Sequence, residues 1–173
     1  NNTVAQIDLS GTTDTNTISA SGSVELANVV DTGTTTATSP VELVVTAGTG
    51  VTLGTVTLSN TLDVDFDTAT GTSTLNAGSL SAGTIEVDGV GTNDVMNFGS
   101  TVVSTVAGVT IGNAGTVDLD GDVTGATTVT ISDVGTEIDL AAGVDITASG
   151  GNVDLNNTVA QIDLSGTTDT NTI

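Results

Sequence analysis

The sequence predicts an all-β chain wound as a parallel right-handed β-helix (a β-solenoid), with tandem β-sandwich domains as the alternative. Three observations carry that prediction. A segment of 18 residues, NNTVAQIDLSGTTDTNTI, stands at 1–18 and again, letter for letter, at 156–173. Short bursts of alternating apolar and polar residues follow one another along almost the whole chain. The apolar residues are nearly all Val, Ala, Leu and Ile, and Phe66 and Phe98 are the only aromatics among 173 residues.

The duplicated segment sets the organisation. Its two copies are offset by 155 residues, which reads as one repeat unit, 1–155, followed by the start of an identical one, 156–173. Long-period self-similarity is the signature of stacked or arrayed architectures. A local duplication at the two ends of one domain is the competing reading. If the array continues smoothly, 155 residues divide into eight coils of about 19 or seven of about 22. Both copies are then expected in equivalent environments, one repeat apart along the axis.

The bursts come in order. Ile7-Asp8-Leu9 is the first, followed by Val24-Glu25-Leu26, Val41-Glu42-Leu43, Val51-Thr52-Leu53 and Val56-Thr57-Leu58. Leu62-Asp63-Val64-Asp65-Phe66, Ile85-Glu86-Val87 and Val109-Thr110-Ile111 occupy the middle. The last third holds Val117-Asp118-Leu119, Val129-Thr130-Ile131, Ile138-Asp139-Leu140, Val144-Asp145-Ile146, Val153-Asp154-Leu155 and Ile162-Asp163-Leu164. Period-two alternation in β-branched residues reads as strand, and no window sustains the 3.6-residue period of a helix. Turn residues separate the bursts, as in Ser21-Gly22-Ser23, Ala77-Gly78-Ser79, Gly112-Asn113-Ala114-Gly115 and Ser149-Gly150-Gly151-Asn152. Asp31 to Ser39 lacks any large apolar residue and reads as a loop leading to Pro40, and Gly11 to Thr17 reads as a shorter loop.

Core thickness favours the solenoid. Packed sheets of a sandwich lie about 10 Å apart and usually need large aromatics between them. A solenoid has a narrow core that stacked aliphatics fill, and its coils pair through a parallel ladder that can grow without limit.

Composition excludes whole classes of function. The chain has no Lys, Arg, His, Cys, Trp or Tyr, and its 21 Asp and Glu give a formal charge of −21. Nucleic acid and anionic membranes would repel it. Most general acids, bases and nucleophiles are missing, so an enzyme is not expected. No disulfide or thiolate metal site can form, and no apolar run reaches the length of a transmembrane helix. Mean hydropathy is +0.28, with abundant Val and Ile, which argues against disorder of the whole chain.

From about Val41 onward the texture resembles a family. Gly54-Thr55-Val56-Thr57-Leu58-Ser59, the stretch Asn76 to Val87 and AAGVDITASGGNVDL at 141–155 resemble the repeats of filamentous-haemagglutinin-type and autotransporter-type bacterial surface proteins. The resemblance implies a secreted or surface-attached β-helix serving as an adhesin shaft or fibre. The complete absence of basic residues departs from that family's pattern.

The candidate sites are acidic. Asp8, Glu25, Glu42, Asp63, Glu86, Asp118, Asp139, Asp145 and Asp154 sit between inward apolar neighbours and are expected to point outward, stacked coil on coil. Exposed neighbours of like charge repel by about 1 kcal/mol in water. A solvated acidic face is the plain reading, and Ca²⁺ bound by clustered oxygens is the functional one. Asp118, Asp120 and Asp122, in D-x-D-G-D, echo the start of a calcium loop but lack its terminal Glu. Asp63, Asp65 and Asp67 form a second cluster. Thr-x-Thr spacing, as in Thr55-Val56-Thr57 and Thr128-Val129-Thr130, is too sporadic for a regular ice-binding face.

The expected function is structural: a repeat of an extracellular or cell-surface fibre, sheath or adhesin stalk, giving length, stiffness and protease resistance. Its expected partners are identical repeats stacked end to end as a homopolymer. The alternative is a multivalent binding module for Ca²⁺-dependent adhesion, glycan or ice. No cofactor is expected beyond that possible Ca²⁺.

Overall fold

The computed structural model describes residues 6–9, 15–31, 42–66, 71–156, 161–163 and 172–173. Residues 32–41, which hold most of the expected loop and Pro40, lie outside the described residues, as do Asp67 and residues 11–14. All regular structure among the described residues is β-strand.

The strands are short because a turn residue interrupts each alternating burst. In chain order they begin with β1 (Ile7–Asp8), β2 (Thr15–Ala20), β3 (Ser23–Val30), β4 (Glu42–Ala47), β5 (Gly50–Thr57), β6 (Thr61–Phe66) and β7 (Thr74–Ala77). They continue as β8 (Leu80–Ala82), β9 (Thr84–Asp88), β10 (Val95–Phe98), β11 (Val102–Ser104), β12 (Val109–Gly112) and β13 (Thr116–Leu119). The last are β14 (Val123–Gly125), β15 (Val129–Ser132), β16 (Glu137–Leu140), β17 (Ile146–Ala148), β18 (Val153–Asp154) and β19 (Gln161–Asp163). Thr15–Thr17, expected in a loop, belong to β2.

Every pairing between these strands is parallel, and each strand pairs with strands one turn away. The chain is therefore a β-solenoid of about six turns with three strand-bearing faces. The first face stacks β2, β4, β6, β9, β12, β15 and β18. The second stacks the first half of β3 and of β5 with β7, β10, β13, β16 and β19. The third stacks β1, the second halves of β3 and β5, then β8, β11, β14 and β17. Because β3 and β5 run around the corner between them, the second and third faces form one continuous sheet.

Inward residues of the three faces fill a single core. Leu43, Leu62, Ile85, Val109 and Val129 form one buried row on the first face. Val51, Leu75, Met96, Val117 and Ile138 form the matching row on the second. Val56, Leu80, Val102, Val123 and Ile146 form it on the third. The narrow space between faces is why stacked aliphatics suffice.

The buried polar groups stand where strands end: Ser104, closing β11, donates its hydroxyl to the Gly83 carbonyl at 2.6 Å, and two carboxylates at corners accept backbone N–H groups. Asp94, fully buried, accepts from the backbone N–H of Ser73 at 2.8 Å, of Val90 at 2.8 Å and of Gly91 at 3.3 Å. Asp31 accepts from the Ser59 hydroxyl and, at 3.4 Å, from its N–H. Among the described residues no buried side-chain nitrogen or oxygen lacks a partner, as burial of polar groups requires.

Mean coil length lies close to the longer of the two expected values, 22, but single turns vary widely. Asn16 stacks in turn on Leu43, Leu62, Ile85, Val109, Val129 and Val153, six turns over 137 residues, or about 23 per turn. Individual turns run from 19 residues, Leu43 to Leu62, to 27, Asn16 to Leu43. The excess lies at the corners. Between the second and third faces two residues suffice at Gly78-Ser79, three at Gly99-Ser100-Thr101 and five at Ala141–Asp145. Strand alternation does not set corner length, so the sequence pattern does not count coils.

The duplicated segment shows the consequence. In the first copy Ile7 stacks under Val29 on the third face, and Thr15–Ala20 lie on the first. In the second copy Ile162 stacks on Ile138 on the second face, and Thr172 bridges Asp145 on the third. The two copies are not in equivalent environments. The second stands one face behind the first.

Candidate functional site: outward acidic ladders

The same alternation that buries Leu62 and Val64 turns Asp63 and Asp65 outward on β6. Register then stacks like on like. Asp63 pairs with Glu86, and Asp65 with Asp88, on β9. Glu42 stands one turn earlier, opposite Thr61. Asp63, Asp65, Glu86 and Asp88 line a shallow surface depression with Val87 and Thr110. Parallel strands lie about 4.8 Å apart, so these two coils hold like charges close together, and no cation in the chain offsets them; the coils on either side carry Val44 and Thr46, and Thr110 and Gly112, at the same positions.

The electrostatic result is local. Partial burial beside β6 and β9, then the charges of Asp65, Glu86, Glu42 and Asp88, push the Asp63 carboxyl up from 3.8 to about 6. Asp65 is raised by burial and by Asp88. A second ladder on the second face runs Asn97, Asp118, Asp139, Asp163. There Asp118 is raised by burial and then by Asp120, Asp139 and Glu137. Below Asp118 the column is amide rather than acid, and the Asn97 side-chain N–H donates to the Asn76 side-chain amide oxygen, Oδ1, at 2.9 Å.

Asp118, Asp120 and Asp122 do not form one cluster. Asp118 faces outward from β13, whereas Asp120-Gly121-Asp122 make the corner that leads to β14. Asp120 donates its N–H to the Phe98 carbonyl at 2.9 Å. The Asp122 carboxylate accepts the Asp145 N–H at 3.0 Å, and the Asp145 carboxylate in turn accepts the Thr172 N–H at 3.0 Å. The acidic corner thus links successive coils through side-chain acceptors, a use that D-x-D-G-D does not announce. Among the described residues no three carboxylates come together as a group that could hold a metal ion. Among them, too, no helix is long and apolar enough to cross a membrane.

No known protein family, curated protein or solved structure matches the chain.

Asp63 makes the ladder testable. Between pH 3.8 and about 6 the folded chain holds a proton that the unfolded chain does not. Stability should therefore rise as pH falls from 7 through 6, and level off below 3.8. Asp63→Asn should raise stability at pH 7 by about 0.5–1 kcal/mol, a figure reduced by solvent screening of a largely exposed group. It should also flatten the rise on acidification. Thermal melts at pH 7 and 4.5 check both, and a variant less stable than the parent at pH 7 would contradict the repulsion.

Proposed function

We propose that this chain is a structural repeat of an extracellular or cell-surface fibre, sheath or adhesin stalk, joined end to end with identical repeats. The observation that carries the reading is the parallel ladder itself. It runs without a change of direction from β1, in the first copy of the duplicated segment, to β19 and Thr172 in the second. A ladder of this kind adds coils without altering those already formed, and stability grows with neighbour contacts. Net charge of −21 keeps the outer faces hydrated, and the absence of Lys and Arg removes every trypsin-type cleavage point.

The test is assembly. The 173-residue chain should associate end to end, and X-ray fibre diffraction of the product should give an axial spacing near 4.8 Å. EDTA should leave filament length and melting temperature unchanged. A monodisperse monomer in light scattering at micromolar concentration would overturn the fibre reading. Filaments that dissolve in EDTA and re-form with Ca²⁺ would replace it with a calcium-dependent one.

A further inference from the structure

The offset between the two copies of the duplicated segment is a fraction of a turn, and that fraction has a simple value. From Ile7 on the third face to Ile162 on the second, the chain passes through six complete turns and two further faces. Those 155 residues therefore make six and two-thirds turns. The second point of the segment agrees independently. Thr17 lies on the first face, on β2, and its counterpart Thr172 lies on the third, bridged to Asp145.

We propose that successive 155-residue units are set a third of a turn apart around the fibre axis, so that each outward feature of the unit appears on all three faces in rotation. Three units then close on twenty turns, about 96 Å at the spacing of parallel strands. The ladder of Asp63, Asp65, Glu86 and Asp88 occupies the first face in one unit, the third in the next and the second in the one after. Over three units the fibre offers three equivalent sides to neighbouring copies, whereas within one unit the acidic ladders lie on the first and second faces only. An identical sequence can do this because the three faces make the same demand, an apolar residue at nearly every inward position. Ile162 meets Ile138 on one face as Ile7 meets Val29 on another.

The inference rests on the tandem-array reading for its extension beyond these residues. The phase itself can be measured within this chain. It contains no cysteine, so paired cysteines report without background. Directly stacked residues lie within disulfide range. Asp139→Cys with Asp163→Cys joins positions stacked on the second face. Thr147→Cys with Asp163→Cys joins positions that would be stacked only if the second copy repeated the placement of the first. Asp118→Cys with Asp139→Cys, one coil earlier, is the control. Under mild oxidation the first pair should cross-link at least about ten-fold faster than the second, at a rate close to the control. Faster linking of the second pair, or of neither while the control links, overturns the third-of-a-turn phase. Failure of the control as well overturns the solenoid register on which the phase depends. Intact mass of the native protein tests the array separately: a mass holding a single unit removes the rotation along a fibre and leaves the measured phase of these two copies standing.

Discussion

Phe98→Ala is expected to lower stability by about 3–5 kcal/mol, the cost of truncating a fully buried aromatic. Phe98 is the largest of the fully buried side chains and sits on β10, in the middle of the solenoid. It stacks between Ala77 on one side and Leu119 on the other. The small Ala77 leaves the room that the ring fills, and neither neighbour can reach into the void an alanine would leave. Phe98→Leu keeps most of the volume and should cost less than about 1.5 kcal/mol. Coils touch only their neighbours, so the damage should be local as well as deep. Urea titration gives the size of the loss. Amide hydrogen exchange gives its place, with protection falling first in β7, β10 and β13. Uniform loss of protection across the chain would show a globally cooperative core instead.

Gly54→Ala is expected to cost about 2–3 kcal/mol, more than any exposed substitution normally does. Gly54 lies where β5 bends from the second face to the third. A Cβ there would stand 2.0 Å from the Ala27 carbonyl oxygen, on the coil before. The next coil repeats the contact, since a Cβ at Gly78 would stand 2.5 Å from the Gly54 carbonyl oxygen. Backbone meets backbone at this corner, and a methyl can be fitted only by parting two coils. Gly22→Ala is the control: a Cβ there meets nothing within 4 Å, and its effect should stay within about 0.5 kcal/mol. A lowered urea midpoint for Gly54→Ala with no change for Gly22→Ala is the expected outcome. Equal midpoints for the two would show that the corner can open at no cost.

Alternation made the strand interiors legible. Leu62-Asp63-Val64-Asp65-Phe66 shows its buried and exposed sides directly, and the structure keeps every residue on the expected side. The outward acidic ladders follow from the same rule. Three features were not legible. Thr15–Ala20 forms β2 although Asn16 takes an inward position, so its pattern lacks one apolar residue. Asp122 and Asp145 serve as corner acceptors, and the same letters serve equally for a calcium loop or a turn. Coil length depends on corners of two, three or five residues, where no side-chain period operates. The fractional phase of the repeat inherits that last difficulty, because it is a sum over every corner in the unit.

The direction of the hydrogen bonds carries a mechanical consequence. They link each coil to the next along the solenoid axis, for example from the Val102 N–H to the Asp122 carbonyl at 2.9 Å and from the Val123 N–H to that of Asp145 at 2.9 Å. Tension on the two chain ends therefore loads one terminal coil at a time instead of shearing the whole ladder together. Each coil that yields releases about 23 residues, roughly 75 Å of extended chain at 3.3 Å per residue, in place of the 4.8 Å it occupied. Pulled from its ends, such a rod gains roughly 70 Å for each coil lost while the remaining coils keep their register.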